Sequence, residues 1–226
     1  MKKRFLLLFL TVFTYSLSTH AQETGEKRLG AWYMYFGTNK ISEDFSIHTE
    51  AQFRFYEVAD NFNQLLLRTG LNYHFSPNAI ATFGYGFIST DGTFEDFPSE
   101  ENSTEHRIYE QFILKNSIEK LKFEHRYRLE QRFISYLDEN DTQHRARYRL
   151  QLTYPLSEKW FVNVYDEVFL NLQDEVFGQN RLYGALGYKV NSKLSLQAGY
   201  LKNHFPNGKF DRLQLAVFFN PDFTKS

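Results

Sequence analysis

The sequence predicts an all-β protein, an antiparallel up-and-down transmembrane β-barrel of about 10–12 strands that follows a cleaved signal peptide. Three observations support this fold class. Charged and apolar residues alternate with a period of two, and no segment after residue 21 has the length and hydropathy of a membrane-spanning helix. Aromatic residues make up 18% of the chain although its mean hydropathy is negative. Aromatic girdles around a polar interior produce that combination.

The strongest alternation lies in residues 121–133, LKFEHRYRLEQRF. Successive side chains of a strand point to opposite sides of its sheet, so one face here is mostly apolar and the other is charged, with Lys122, Glu124, Arg126, Arg128, Glu130 and Arg132. A slip of one residue in a bilayer would turn its arginines toward lipid, at about 2–4 kcal/mol each near the midplane. The charges are therefore predicted to face inward. His125 and Gln131 fall on the apolar face and are expected near the two interfaces.

Residues 1–21 have the features of a secretory signal peptide, and residues 22–226 are predicted to form a single barrel domain. Lys2, Lys3 and Arg4 precede an apolar run, which is followed by the small-residue cleavage pattern Thr19-His20-Ala21. Cleavage would leave 23 Lys and Arg residues against 27 Asp and Glu, a formal charge of −4. This charge gives no support to nucleic-acid binding. The chain has no cysteine, which excludes a lipid-anchored cysteine, disulfides and thiolate metal sites.

The first half of the chain is predicted to contain five strands. Residues 29–38 place Trp32, Met34 and Phe36 on one face, and residues 45–56 alternate five polar with five apolar positions. Strands at 64–75 and 79–88 follow with the same period. Residues 89–105 are acidic and aperiodic, which predicts the longest loop. In the fifth strand, 106–116, Glu110 falls on the outer face, and this break in the pattern predicts a β-bulge.

The second half continues the pattern with six strands. The charged strand 121–133 is followed by a strand with Arg145, Arg147 and Arg149 inward, then by strands at 160–171, 181–190, 194–203 and 212–220. All five prolines fall outside the predicted strands, as hydrogen-bonded strands require. Short connections alternate with longer ones, as in outer-membrane barrels, where the short turns are periplasmic. The pattern gives eleven strands, whereas single-chain bacterial barrels normally have an even number. We therefore expect either a twelfth strand or a ten-stranded barrel that the first segment does not join.

Several segments are more specific than alternation alone. They are EHRIYEQ (105–111), HRYRLEQRF (125–133), RARYRLQLTYPL (145–156), YDEVFLNL (165–172), QNRLYGALGY (179–188) and LQAGY (196–200). Through them the chain resembles an uncharacterised family of outer-membrane barrels of Gram-negative bacteria, domain of unknown function 2490. The resemblance implies a barrel fold and an outer-membrane location, and it brings no established activity or catalytic residues.

The candidate functional residues are the inward-facing charges, which are predicted to form one network in the lumen: Glu50, Arg54, Arg68, Glu124, Arg126, Arg128, Glu130, Arg132, Arg145, Arg147, Arg149, Glu167 and Arg181. One interpretation is structural, because an Arg–Glu network satisfies its own donors and acceptors while filling the lumen. Another is a binding or conduction site for a small anion, since guanidinium groups suit phosphate and carboxylate.

A third interpretation is a hydrolase that modifies outer-membrane lipid. Its candidates are His48 with Glu50, and His106 and His125 with Ser103 and Ser135, although no nucleophile-elbow motif accompanies them. The histidines show no ligand spacing, so neither a metal nor another cofactor is predicted. The loop acids Asp91, Glu95, Asp96, Glu100 and Glu101 are expected to be a solvated acidic loop rather than a cation site.

The sequence thus predicts a monomeric outer-membrane barrel in contact with lipid, with an Arg- and Glu-lined lumen that is structural or takes a small anion. The runner-up is a soluble periplasmic β-barrel or sandwich. That alternative requires the aromatic face to form the core and the arginine face to meet solvent.

Overall fold

A computed structural model describes residues 25–94, 102–173 and 175–224. These residues form eleven strands in one closed sheet and contain no helix, hence none able to cross a membrane. The predicted signal peptide lies outside the described residues. The strands are β1 Leu29–Lys40, β2 Phe45–Phe55, β3 Phe62–Ser76, β4 Ala79–Thr90, β5 Ser103–Ile118, β6 Leu121–Ser135, β7 Asn140–Pro155, β8 Trp160–Asn171, β9 Phe177–Lys189, β10 Leu194–Phe205 and β11 Gly208–Phe219.

The barrel closes between its first and last strands. Each strand pairs antiparallel with the next along the chain, whereas β1 and β11 pair in parallel, from Leu29 opposite Asp211 to Gly37 opposite Phe219. In an up-and-down sheet with an odd number of strands, the first and last strands point the same way, so closure requires a parallel pair. The all-β barrel prediction is confirmed. The expectation of an even strand count was wrong, and the count of eleven was correct.

The two ends of the barrel differ in the length of their connections. The end that we call the turn end has the connections 41–44, 77–78, 119–120, 156–159 and 190–193. The opposite end, which we call the loop end, has the connections 56–61, 91–102, 136–139, 172–176 and 206–207. The longest connection, 91–102, is shorter than the predicted loop 89–105 because β5 begins at Ser103 and takes Glu105 into the sheet.

Parallel closure places the start of β1 and the end of β11 at opposite ends of the barrel. Residues 25–28 lie at the loop end, where the Glu26 carboxylate accepts a hydrogen bond from the Lys209 backbone at 2.8 Å. The segment after β11 lies at the turn end, where the Phe223 backbone N–H donates to the Lys40 carbonyl at 3.0 Å.

The predicted bulge in the fifth strand is wrong. The pairing of β5 with β4 and β6 runs without a register shift, and Glu110 points outward. Its carboxylate accepts a hydrogen bond from the outward amide of Gln131 at 3.3 Å, so the side chain has a partner without any break in the ladder. Asp166 on β8 is paired with Asn180 in the same way, at 3.1 Å. These outward polar side chains thus hydrogen-bond to polar side chains on the adjacent strand.

Large apolar side chains cover the outside of the wall, and the charged face lies inside. The exposed set includes Phe53, Leu67, Leu71, Phe83, Phe112, Tyr127, Leu129, Phe133, Leu182, Leu186, Leu215 and Val217. The buried polar set includes Glu50, Arg68, Arg107, Arg128, Glu130, Arg147, Glu167 and Arg212. This is the reverse of the arrangement that the soluble alternative requires, in which the apolar face would be the core.

Aromatic side chains also fill part of the interior, in addition to those outside. Tyr109 on β5 is fully buried and lies across Gly84 and Gly70, its partners in the next two strands, where an added Cβ would overlap its ring at Gly84. Its hydroxyl donates to the Thr69 carbonyl at 3.2 Å. Glycine leaves room for a large ring to lie flat against the wall, so this side of the lumen is packed.

Candidate functional site: a cation-rich lumen

Glu130 is the centre of the interior charge network. Its side chain is fully buried, and its two oxygens lie 2.6 Å from Arg145 and 2.7 Å from Arg147. Arg107 and Arg128 approach it at 3.5 and 3.6 Å. Strand register explains the cluster: Glu130 pairs directly with Arg145 on β7, and the other arginines stand within two residues of that level on β5, β6 and β7.

Three more glutamates lie on β5 to β8. Glu105 and Glu167 each share an arginine with Glu130, whereas Glu124 forms a separate cluster. Each carboxylate is shared between cations: Glu105 with Arg107 at 2.6 Å and Arg132 at 2.8 Å, Glu124 with Arg149 at 2.6 Å and Lys115 at 3.9 Å, and Glu167 with Arg126 at 2.6 Å and Arg147 at 2.8 Å. Forked guanidinium groups suit such sharing because each presents several donors in one plane. The network therefore links four neighbouring strands across the lumen.

A second, smaller group surrounds Glu50 on β2. Its carboxylate lies 2.8 Å from Arg68 and 3.0 Å from His48, and it accepts the Gln52 amide at 2.5 Å. Between the two groups stands Arg128, which donates to Gln111 at 2.5 Å and stacks 4.8 Å from the Tyr109 ring centre.

The wall formed by β1, β2 and β9 to β11 is different, because its arginines have no carboxylate partner among the described residues. Arg54 donates to Gln52 and Gln64 at 2.6 Å each, and Arg212 donates to the Asp211 carbonyl at 2.9 Å. Arg181 stacks 4.8 Å from the Trp32 ring centre and 4.6 Å from that of Phe169. The positive charge on this side of the lumen is not neutralised by contact.

An interior cavity of about 440 Å³ separates the two sides. Its lining runs from Tyr56 and Phe210 at the loop end to Phe36 and Gln151 toward the turn end. Arginines from both walls reach it, namely Arg54, Arg68, Arg107, Arg126, Arg132, Arg145, Arg147, Arg149, Arg181 and Arg212. The cavity is therefore a cation-lined space inside the barrel.

Tyr56 stands just beyond β2, at the loop end of the cavity. Its hydroxyl donates to the Gly92 carbonyl at 3.1 Å, and its ring packs against Phe94 at 5.8 Å between centres. Burial raises the pKa of Tyr56 above its ordinary value, and the negative charge of Asp91 raises it further. The Tyr56 hydroxyl therefore stays neutral. Its hydrogen bond to Gly92 links the connections 56–61 and 91–102.

The thirteen residues predicted for the lumen network all lie inside the barrel, though not in one group. Six belong to the network around Glu130, which contains Arg126, Glu130, Arg132, Arg145, Arg147 and Glu167, and Glu124 and Arg149 form a separate pair. Glu50 and Arg68 form the second group, and Arg128 lies near Glu130 and stacks on the same Tyr109 ring as Arg68. Arg54 and Arg181 stand on the unneutralised wall.

Sequence reasoning missed five residues of the site. Glu105 falls in the predicted loop 89–105, Trp32 is predicted only to share a face with Met34 and Phe36, and Arg107, Arg212 and Gln214 are absent from the predicted network. The signal for Arg212 and Gln214 is present in the predicted strand 212–220, because Leu213 and Leu215 form its apolar, outward face and the alternating residues Arg212 and Gln214 must then face inward.

The hydrolase candidates do not assemble into a nucleophile and base. His106 bonds the Tyr85 hydroxyl at 2.6 Å and His125 the Tyr148 hydroxyl at 2.9 Å, both on the outer face and neither with Ser103 or Ser135. His48 does meet Glu50, but that carboxylate is held by Arg68. Of the loop acids, Glu95, Asp96, Glu100 and Glu101 lie outside the described residues.

Comparisons with known proteins give a family and a distant structural likeness. No curated protein matches the chain. Among solved structures, the crystal structure of the siderophore receptor PirA from Pseudomonas aeruginosa matches with 12% identity and a TM-score of 0.35, over 77% of this chain and 34% of the receptor. The chain thus spans about a third of that protein's length. A family model matches residues 29–214, and the chain accordingly belongs to the proteins of unknown function DUF2490.

Proposed function

We propose that this protein is an outer-membrane β-barrel whose lumen admits small anions from the loop end and holds them against an arginine-rich wall. One observation carries the proposal. The described lumen brings eleven arginines against five glutamates, the arginines being Arg54, Arg68, Arg107, Arg126, Arg128, Arg132, Arg145, Arg147, Arg149, Arg181 and Arg212, and the glutamates Glu50, Glu105, Glu124, Glu130 and Glu167. The excess positive charge favours anions in the cavity.

The outer surface supports the membrane location. Large apolar side chains are exposed on every part of the wall, for example Phe53 on β2, Leu129 on β6 and Leu186 on β9. Soluble monomers rarely expose apolar patches larger than a few hundred Å². In a lipid bilayer such an apolar belt is not exposed to water, so it carries no unfavourable hydration free energy. A strand of 9–11 residues is about long enough to cross the hydrocarbon core. Every strand of this barrel reaches that length.

The connection lengths indicate the orientation. Short turns face the periplasm in outer-membrane barrels, which would place the turn end there and the loop end at the cell surface. Residues 25–28 would then emerge at the surface, whereas residues 220–224 would be periplasmic, because the parallel closure separates them. A signal peptide at 1–21 is part of the same proposal, since the chain must be exported.

This orientation predicts opposite accessibility of two tags. An epitope inserted after Lys27 should be labelled by antibody on intact cells, and one appended after Ser226 should be labelled only after the outer membrane is permeabilised. The same epitope in the turn 156–159 serves as a periplasmic control. Surface labelling of the C-terminal tag alone would reverse the orientation.

The anion proposal predicts ion selectivity. Purified, refolded protein in a planar bilayer should conduct with a preference for chloride over potassium under a salt gradient. Arg54→Gln with Arg181→Gln should reduce that preference, because the two residues form much of the unneutralised wall. Lys120→Gln with Lys159→Gln removes the same charge from two turns outside the lumen and should change little. Cation preference in the unaltered barrel would contradict the proposal.

A closed structural barrel is the second candidate. The observation in its favour is the packed side of the lumen, where Tyr109 and the Glu130 network fill the space between β3 and β7. A correctly inserted barrel that carries no current at any salt concentration would support this candidate, and heat-dependent gel mobility would show that insertion had occurred.

A further inference from the structure

We infer that Trp32, Arg54, Arg181, Arg212 and Gln214 form a binding site for a small oxyanion, a phosphate or carboxylate group, at the seam where β1 meets β11. The inference rests on the proposed function and deepens it, because it assigns the anion to one wall of the lumen. The five residues come from four strands that the closure of the barrel brings together.

Strand register places Trp32 at the centre of the site. Its direct partner on β2 is Arg54, and its direct partner on β11 is Gln214. The Arg54 guanidinium lies 3.9 Å from the Trp32 ring centre, and that of Arg181 lies 4.8 Å from it. A guanidinium that stacks by its face keeps its five N–H donors at its edge. Arg54 uses three of them for Gln52 and Gln64, so two remain for a ligand.

Two buried donors in this site have no partner in the described part of the chain. They are the indole N–H of Trp32 and the side-chain amide nitrogen of Gln214, whose residues are 5% and 2% exposed. Both side chains line the cavity. Buried donors are nearly always hydrogen-bonded, so two adjacent orphans at paired positions point to an acceptor that the chain itself does not provide.

The absence of a side chain at Gly30 leaves room for Arg212 to lie near Trp32 and Gln214. An added Cβ at Gly30 would lie 2.7 Å from Cδ and 2.8 Å from Nε of Arg212, so the arginine side chain crosses the wall in the space that Gly30 leaves empty. Gly30 and Trp32 point to the same side of β1, two residues apart. The guanidinium of Arg212 is 4.8 Å from the Phe210 ring centre.

The chemistry of the site selects the ligand class. Three guanidinium groups, one indole N–H and one amide offer donors, and no carboxylate of the described residues is ion-paired with the three arginines. Apart from the Gln214 amide oxygen these groups are donors, and a set so poor in acceptors does not suit a metal cation. They suit a compact group with several acceptor oxygens, and guanidinium forks match phosphate and carboxylate in particular. The cavity of about 440 Å³ has room for such a group.

Tryptophan fluorescence tests the site directly, because the chain has only Trp32 and Trp160. Trp160→Phe leaves Trp32 as the sole reporter. Inorganic phosphate and acetate are titrated into the refolded protein in detergent, at constant ionic strength maintained with chloride. We expect a saturable change of Trp32 emission. In the same background, Arg54→Gln and Arg181→Gln should each weaken binding by about tenfold or more, since each removes charge-assisted hydrogen bonds.

Two further variants make the test specific. Arg149→Gln removes a lumen arginine that is paired with Glu124 at 2.6 Å, on the opposite wall, and should shift affinity by less than about threefold. Gln214→Leu removes a hydrogen-bond donor while keeping the size and charge of the side chain, and it should weaken anion binding. It therefore tests the site even if the arginine variants do not fold. Heat-dependent gel mobility identifies the folded variants.

The outcomes separate this site from the broader proposal. No saturable response, or equal weakening by Arg149→Gln and Arg54→Gln, would overturn the site. If anion selectivity in bilayers persists in that case, the anion-admitting lumen still stands. A saturable phosphate response in a barrel that carries no current would instead support the site and overturn conduction. Phosphate without an acetate response would identify the ligand group as phosphoryl.

Discussion

Glu130→Gln is expected to destabilise the barrel by about 3–5 kcal/mol, the cost of removing one partner from a buried ion pair. The carboxylate neutralises Arg145 at 2.6 Å and Arg147 at 2.7 Å, and Arg107 and Arg128 also stand close to it. Glutamine keeps the shape and removes the charge, so four guanidinium groups would be left near one another with less compensation. Relaxation of the side chains toward the cavity limits the loss but cannot replace the charge.

Urea unfolding in lipid vesicles, followed by Trp fluorescence and heat-dependent gel mobility, measures this change. Glu110→Gln is the matched control, because the same substitution then acts on the outer face, where Glu110 accepts a hydrogen bond from Gln131 at 3.3 Å. If the barrel lies in a bilayer as proposed, removing this outward-facing charge should leave stability unchanged or raise it. Equal destabilisation by both substitutions would show that the interior network has no special role.

Tyr109→Ala is expected to destabilise the barrel by about 3–5 kcal/mol and to widen the lumen. The ring is fully buried, covers Gly84 and Gly70, and is flanked by Arg68 at 5.4 Å and Arg128 at 4.8 Å. Gly84 and Gly70 have no side chains that could fill the space left by the lost ring. The vacancy would join the polar interior, where water can enter.

The measurement is single-channel conductance together with unfolding in vesicles. Tyr109→Ala should conduct more than the unaltered protein at the same salt concentration. Tyr127→Ala removes the same ring from the outer face, where it is 48% exposed, and should leave conductance unchanged. An unchanged conductance for Tyr109→Ala in a folded barrel would mean that the constriction lies elsewhere in the lumen.

The alternation of residue types was enough to predict most of the fold. It predicted eleven strands. In the stretches 124–132 and 145–149 it placed the alternate charged residues inside and the residues between them outside. Family-like segments such as HRYRLEQRF led to the family whose model matches the chain. The errors arose where a rule met a local exception. Glu110 breaks the pattern without a bulge because Gln131 satisfies it, and the even-number rule fails because the barrel closes through a parallel pair.

The sequence by itself determined which residues of a strand share a face, since a period of two assigns residues to one side of a sheet or the other. It did not determine which residues of different strands become neighbours. That depends on strand number, stagger and closure, which are properties of the whole sheet. Trp32 and Gln214 lie at opposite ends of the chain and become partners only because β1 and β11 close the barrel in one register. Tertiary structure alone therefore decided which lumen arginines are ion-paired with glutamates and which are not.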